Sequence, residues 1–351
     1  MKLIIQIPCL NEEEQLPATL ADLPRALPGF DEVEWLLIDD GSTDATVAVA
    51  RANGVDHVVR LTNNKGLAAA FQAGLDASLK LGADVIVNTD ADNQYDARDI
   101  PKLIEPILRG DADLVIGDRE IDSVEHFSPL KKRLQNLGSA VVRRASGTDV
   151  PDTTSGFRAY NREAALQVTV VSKYTYTLES IIQAGKMLVA VDHTPIRARK
   201  VERPSRLFGH SMWGYVRRNA MAIFRIYSMY EPLRVFMTAA AIVSIFALGI
   251  WLRYLIYLIN GEGSGHLQSV IVGAVLVIAA VQLAALGVMG DILAGMRTLQ
   301  QRTLERVRRV ELQLGVEPSH YEPGSTSETE ATTGAAAGPA TGKPDRETVG
   351  L

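Results

Sequence analysis

The chain has 351 residues, 36 basic and 41 acidic side chains, a formal net charge of −5 and one cysteine. A mildly acidic balance gives no global electrostatic case for nucleic-acid binding, and the single Cys9 excludes an intrachain disulfide or a Cys-rich zinc site. The length allows two ordinary domains, or one large domain with appendages.

In chain order, the sequence opens on the apolar run Leu3–Ile7 with no cleavable leader pattern before it, so the first domain is expected to stay in the cytoplasm. Residues 1–120 then alternate short apolar runs with helical patterns, which predicts a mostly parallel sheet built from βαβ units. The strands expected are Leu3–Ile7, Trp35–Ile38, His57–Leu61, Val85–Asn88 and Leu114–Ile116. The helices expected between them are Glu13–Ala26, Asp44–Ala52, Gly66–Leu81 and Ala97–Leu108. Three polar clusters fall at the carboxyl ends of strands, the edge where open α/β sheets bind ligands. They are Pro8–Glu12, Asp39-Asp40-Gly41-Ser42 and Asp90–Gln94. Two carboxylates spaced i, i+2 where a buried strand ends, as in Asp90-Ala91-Asp92, can hold a divalent cation against a diphosphate. Each cluster also has an ordinary structural explanation. Ser42, Thr43 and Asp44 cap helices well, Asp92 could cap the helix that follows, and Glu12–Glu14 suit a helix N-terminus. Three such clusters on one rim are harder to assign to stability alone. The phosphate-loop patterns GxxxxGK[ST] and GxGxxG are both absent.

Farther on, Val235–Ile259 is apolar apart from Arg253, and Val270–Gly290 has Gln282 as its one strongly polar residue. Both are long enough to cross a bilayer as helices. Arginines 217, 218, 225 and 234 precede the first span, and arginines 297, 302, 306, 308 and 309 follow the second. The connector Asn260–Leu267 holds neither Lys nor Arg, so the positive-inside rule puts both flanks in the cytoplasm and the connector outside. Arg253 can snorkel to the outer headgroups, with Trp251, Tyr254 and Tyr257 as anchors. Residues 206–234 mix aromatic and basic side chains in a way that suits helices in the headgroup plane. Asp291–Leu314 reads as a charged amphipathic helix with Leu293, Met296, Leu304, Val307 and Val310 at helical spacing. It suits either the membrane surface or pairing with another subunit, which leaves a homo-oligomer open. From about Val316 the composition is that of a disordered tail.

The motifs IPCLNEE, LLIDDGSTD, DADNQYD and TTSGFRAYNREA resemble the series of family 2 glycosyltransferases. The similarity extends to the branch containing dolichyl-phosphate mannose synthase and bacterial polyprenyl-phosphate glucosyltransferases. It covers about residues 1–230, and the paired C-terminal spans match membrane-anchored members. It implies a GT-A (Rossmann-like) catalytic domain over 1–205, amphipathic interface helices over 206–234, and two transmembrane helices within 235–290 (235–259 and 270–290). A cytoplasmic amphipathic helix over 291–315 and a disordered tail over 316–351 would follow. It assigns Pro8, Leu10, Glu12 and Asp40 to the base and ribose of a nucleotide, and Asp90 and Ala91 to the diphosphate and sugar. Asp92 and Gln94 would ligate Mg²⁺ or Mn²⁺. Arg119 matches a basic residue near the sugar phosphate and acceptor, and Arg206 the arginine of an RxxGxS element over the leaving diphosphate. Asp92, Arg119 and Arg206 are thus the catalytic candidates. The lysine that often follows that serine is Met212 here, so one phosphate contact of the family is missing or comes from elsewhere.

The activity implied is inverting transfer of a hexose from a GDP-mannose or UDP-glucose type donor to a polyprenyl phosphate at the cytoplasmic membrane face. A lipid phosphate is already an anion, so the acceptor needs cationic positioning rather than a strong base. Arg119, Lys131, Lys132, Arg133 and the stretch 197–206 offer it, and a solvated surface face explains most of them equally well. The alternative is a non-processive membrane transferase acting on a glycolipid hydroxyl, which would need an essential carboxylate base. A processive polysaccharide synthase should carry QxxRW, and this chain does not. Glu179 suits contact with sugar hydroxyls or a helix cap. Asp152 and Arg158 suit the floor of a sugar pocket or a structural ion pair, and His193 reads as a strand residue.

Overall fold

The computed structural model describes residues 1–120, 129–170, 176–199, 221, 224–225, 227–261 and 263–323. An eight-stranded mixed sheet organises the first two hundred residues. Its strands are β1 (Lys2–Cys9), β2 (Glu32–Asp39), β3 (His57–Arg60), β4 (Val85–Asn88), β5 (Leu114–Asp118), β6 (Arg158–Asn161), β7 (Val191–Pro195) and β8 (Tyr321–Pro323). Their order is β7-β5-β6-β4-β1-β2-β3-β8. β4, β1, β2 and β3 pair in parallel, as β5 does with β7, while β6 runs antiparallel between β4 and β5.

Side chains on successive strand residues point to opposite faces, and here both faces are apolar because helices cover both. Ile4, Leu36, Ile38, Ile86 and Tyr160 pack on one side with Phe71 and Leu75 of α3 (Leu67–Lys80) and Ile181 of α7 (Thr177–Lys186). Leu3, Ile5, Ile7, Leu37 and Val87 pack on the other with Leu16 of α1 (Leu16–Asp22), Ala50 of α2 (Thr46–Ala52) and Leu103 of α4 (Ile100–Arg109). Helices α5 (Pro129–Ser146) and α6 (Arg162–Gln167) complete the domain. α4 ends on Gly110, whose φ of +76° places it in the left-handed region that favours glycine.

Two long helices follow, α8 (Pro232–Ile259) and α9 (Leu267–Gln313), both long and apolar enough to cross a membrane. They pack through small residues of α9. A Cβ on Gly273 would overlap Trp251, and one on Gly290 would approach Pro232 to 2.7 Å. The sequence divides α9 into a span and a separate amphipathic helix, but it is one continuous helix of 47 residues. Nothing in the span boundary, Gly290-Asp291, interrupts the backbone ladder.

The expectation of a disordered tail from Val316 is corrected over its first residues. Tyr321–Pro323 forms β8, antiparallel to β3. The Tyr321 hydroxyl lies 2.9 Å from His57 Nδ1, and Arg51 pairs with Glu322. Three residues make a weak local signal, and this strand exists because β3 offers an open edge. The expected helix Glu13–Ala26 is also shorter, Leu16–Asp22, and residues 11–13 are tied instead to the loop after β2.

Candidate active site

The sheet order brings the three predicted clusters together, since β4, β1 and β2 are neighbours and all end on the same rim. β5 runs the same way and contributes Arg119. β6 enters from that rim, which adds residues 152–157.

The first two clusters lock each other. Asn11 N donates to Ser42 Oγ at 2.9 Å, Thr43 N to Asn11 Oδ1 at 2.8 Å, and Glu12 N to Thr46 Oγ1 at 2.9 Å. Pro8 is buried in β1 opposite Ile38, and Leu10 is half-buried just beyond the strand. Asp40 is buried and accepts from Lys65 N at 2.7 Å and Gly66 N at 2.8 Å, closing the entry to α3. Asp44 accepts from Thr46 N at 3.0 Å within the turn that leads into α2, whose N-cap residue is Ala45 without a side-chain cap, so the expected capping role is not met there. Gly41 sits at φ +80°, where a Cβ would come within 2.7 Å of the Asn63 carbonyl carbon. A side chain at 41 is excluded by both the backbone and its neighbour.

The third cluster is the chemical centre. Asn93 adopts φ 55°, and Asp92 Oδ1 accepts from Gln94 N at 3.1 Å, so Asp92 shapes its own turn rather than capping a helix. Thr19 Oγ1 donates to Ala91 O at 2.8 Å, which ties the turn to α1. Behind it runs a buried polar chain. Gln6 Nε2 donates to Asn88 Oδ1 at 2.8 Å, and Asn88 Nδ2 donates to Gly156 O at 2.7 Å and to the Tyr176 hydroxyl at 3.1 Å. Gly156 N donates to the Tyr95 hydroxyl at 2.9 Å, and Tyr95 hydrogen-bonds Asp90. Tyr95 stacks on Phe157 with centroids 5.1 Å apart. A Cβ on Gly156 would meet the Tyr176 hydroxyl at 2.8 Å and Asp90 Oδ2 at 3.0 Å. Tyr95, Tyr176, Asn88 and Gly156 received no role from the sequence. Tyr95 stood inside DADNQYD and Tyr176 in the polar-aromatic run before Glu179, but neither type of signal specifies a contact.

Burial, followed by the charge of Asp92, pushes the Asp90 carboxyl up to about 7, against the pull of Arg119, Arg158 and Tyr95. Arg119 is held in place. Its Nε donates to Asp152 Oδ2 at 2.6 Å, and its Nη2 to Asp152 Oδ1 at 3.0 Å and Thr154 Oγ1 at 2.8 Å. Burial would raise the Asp152 carboxyl, but Arg119 holds it below the usual range. Asp152 therefore pairs with Arg119 and not with Arg158. Arg158 is fully buried, donating to Ser155 O, Thr153 O and Ser180 Oγ.

Other expected cations are occupied elsewhere. Arg197 pairs with Asp99, and Arg199 with Asp22 and, at 3.5 Å, with Asp96. Glu179 is buried against Arg297 of α9 at 2.8 Å, so neither a sugar contact nor a cap describes its visible partner. His193 lies in β7, as expected. Arg206 and Met212 lie outside the described residues. Lys132 and Arg133 lie near the start of α5, with side chains outside them.

Among the described residues, no three or more His, Cys, Asp or Glu side chains converge to hold a metal ion. The donor chemistry nonetheless fits a hard cation. Asp90 and Asp92 offer carboxylates and Gln94 an amide oxygen, the oxygen donors that a hard cation takes. Such a set leaves coordination positions for diphosphate oxygens.

A mostly parallel sheet with acidic residues on its carboxyl rim is the GT-A type of architecture. The model of "Glycosyl transferase family 2" matches residues 4–169. The undecaprenyl-phosphate mannosyltransferase of Micrococcus luteus is 34% identical over 206 residues, covering 56% of this chain and 83% of that protein. The UDP-N-acetylglucosamine–dolichyl-phosphate N-acetylglucosaminyltransferase of Methanococcus voltae is 30% identical, over 54% of this chain and 83% of that protein. Among solved structures, the UDP complex of glucosyl-3-phosphoglycerate synthase from Mycobacterium tuberculosis shares the fold. Its TM-score is 0.50 at 21% identity, covering 65% of this chain and 80% of that one. The chain belongs to glycosyltransferase family 2 and is a glycosyltransferase.

Proposed function

We propose that the chain transfers a hexose from a nucleotide-diphosphate sugar, of the GDP-mannose or UDP-glucose type, to a polyprenyl phosphate at the cytoplasmic face of a membrane it crosses twice. The observation that carries this is the Asp90–Asp92 pair on the rim of a sheet domain whose chain continues into two apolar helices. The two relatives named above differ in sugar but share a polyprenyl phosphate acceptor in their names. That supports the acceptor class and leaves the sugar open.

In this scheme Pro8, Leu10, Glu12 and Asp40 line the nucleoside, and Asp90 and Ala91 face the diphosphate and sugar. Asp92 and Gln94 would hold Mg²⁺ or Mn²⁺, which when bound offsets charge on the departing diphosphate. Tyr95 and Gly156 keep the Asp90 carboxylate aimed at the rim. Asp152 and Thr154 keep Arg119 in one rotamer, so its charge is preorganised for the phosphate of the acceptor or donor. Lys132 and Arg133 join it for the acceptor and Arg206 for the leaving group. The acceptor oxygen is already anionic and attacks the anomeric carbon in line, forming the new C–O bond as the bond to the diphosphate breaks. The centre inverts, so an α-linked donor gives a β-linked product.

The proposed domains are those expected from the sequence, except that α9 joins the second span to the helix beyond it and Tyr321–Pro323 belongs to the catalytic sheet. Membranes containing the chain, given GDP- and UDP-linked hexoses with polyprenyl phosphate, should move label into the lipid fraction. Asp92→Ala should reduce that transfer by at least a hundredfold while the protein stays folded and inserted. Undiminished transfer by this variant, or label reaching only glycolipid hydroxyls, would refute the assignment.

A further inference from the structure

Among the described residues, helix α9 is covered on one side only. Gly287 packs against Phe236 of α8, and Arg308 donates to the carbonyls of Leu166 and Val168 in the catalytic domain. The opposite side carries an unbroken stripe at alternating four- and three-residue steps, from Gln282 through Leu286, Met289, Leu293, Met296, Gln300 and Thr303 to Leu314. Every stripe residue is exposed, Leu293 by 63% and Leu314 by 74%. A strict seven-residue repeat keeps one seam facing one partner only when two helices wind around each other.

Lipid accounts for part of this seam but not for all of it. Gln282 is exposed in the middle of the apolar run, where a side-chain amide facing hydrocarbon favours a partner across a helix interface. Beyond Asp291 the helix runs on without a break to Gln313, roughly 35 Å past the apolar run. As a straight extension of a spanning helix, it carries Leu293, Met296, Val307 and Val310 away from the bilayer. There, Met296, Leu299, Thr303, Leu304 and Val307 line a shallow apolar groove.

We propose that this stripe pairs with the same stripe of a second copy, as a parallel α9–α9 coiled coil, and this rests on the two helices spanning the membrane as above. Two copies inserted the same way put each seam residue opposite its own counterpart, so any charge there would face itself. Between Asp291 and Leu314 the helix has eight charged residues, and none lies on the stripe. The two glutamines can each bond their own counterparts. From Gln282 to Leu314 the strip is roughly 50 Å long and about 10 Å wide, on the order of 500 Å² per copy. Two copies together bury about 1,000 Å², the size at which a specific interface begins.

Cysteine cross-linking of the full chain in membranes tests this, since Cys9 is buried and leaves the natural chain as a control. Val307→Cys and Val310→Cys should give disulfide-linked dimers at least fivefold more than Arg302→Cys, which is exposed but off the seam. Equal or absent cross-linking at the three positions, or a product whose mass is not twice that of the chain, would overturn the pairing. Light scattering in detergent gives a second reading. Val307→Asp should halve the particle's protein mass and Arg302→Asp should not, and an unchanged mass in both would also overturn it. Extraction of the chain by alkaline carbonate would instead indict the membrane spans themselves.

Discussion

At the scale of single residues, the site depends on side chains that never touch one another in sequence. Tyr95 bridges Gly156 N to Asp90, so removing its hydroxyl frees the carboxylate without changing the charge of the rim. A hydrogen bond to a charged group is worth about 1.5–3 kcal/mol, so Tyr95→Phe is expected to lower kcat by roughly ten- to a hundredfold. Donor KM should move much less, and steady-state kinetics would show the split. Gly41→Ala is expected to cost about 1–3 kcal/mol, because a residue at φ +80° gains a Cβ 2.7 Å from a backbone carbon. Chemical denaturation checks that value. The DxD pair was legible in the sequence because its spacing and its position after an apolar run are both local. The Arg119–Asp152 pair was not, because it joins residues 33 apart through the order in which β5, β6 and β4 lie in the sheet.

At the scale of elements, α9 acts as a strap between the apolar helices and the catalytic domain. Arginines at its cytoplasm-expected end looked like topological markers in the sequence. Three of them also hold the domain, Arg297 to Glu179, Arg308 to the end of α6, and Arg309 to Glu163. Arg297→Ala would leave Glu179 buried without that partner and is expected to destabilise the domain by about 3–5 kcal/mol. Arg297→Lys should recover part of it, and melting curves of the full chain would rank the three proteins. The strands and helices of residues 1–120 were readable because apolar periodicity reports them directly. β8 was not, since its pairing depends on the edge of β3 and not on its own three residues.

That edge also carries a pH signature. Burial raises the Glu34 carboxyl, but hydrogen bonds from His57 and Lys2 outweigh it and hold the group down at about 2. The folded value lies below that of an unfolded chain, near ~4.3. Glu34 therefore stabilises fully above that value, and its contribution disappears as pH falls through about 2. The melting-temperature gap between the natural chain and Glu34→Gln should narrow from pH 6 to pH 2.5. A gap that stays constant would mean that the carboxylate charge is not what holds β2, β3 and β8 together.

At the scale of the whole molecule, the sheet supplies a rim for an activated sugar and the strap fixes that rim relative to the helices. The proposal needs both, because a lipid phosphate can only reach Asp90 and Asp92 if the domain is held at the membrane. Its centre is the cation that would join those carboxylates to a diphosphate. The most direct measurement is calorimetric titration of the purified full chain with GDP and UDP, with manganese and again with EDTA, for the natural protein and Asp92→Ala. At least one nucleotide should bind tenfold or more tightly with manganese, and the variant should lose that increment. Equal affinity under all four conditions, or no binding of either nucleotide, would contradict it.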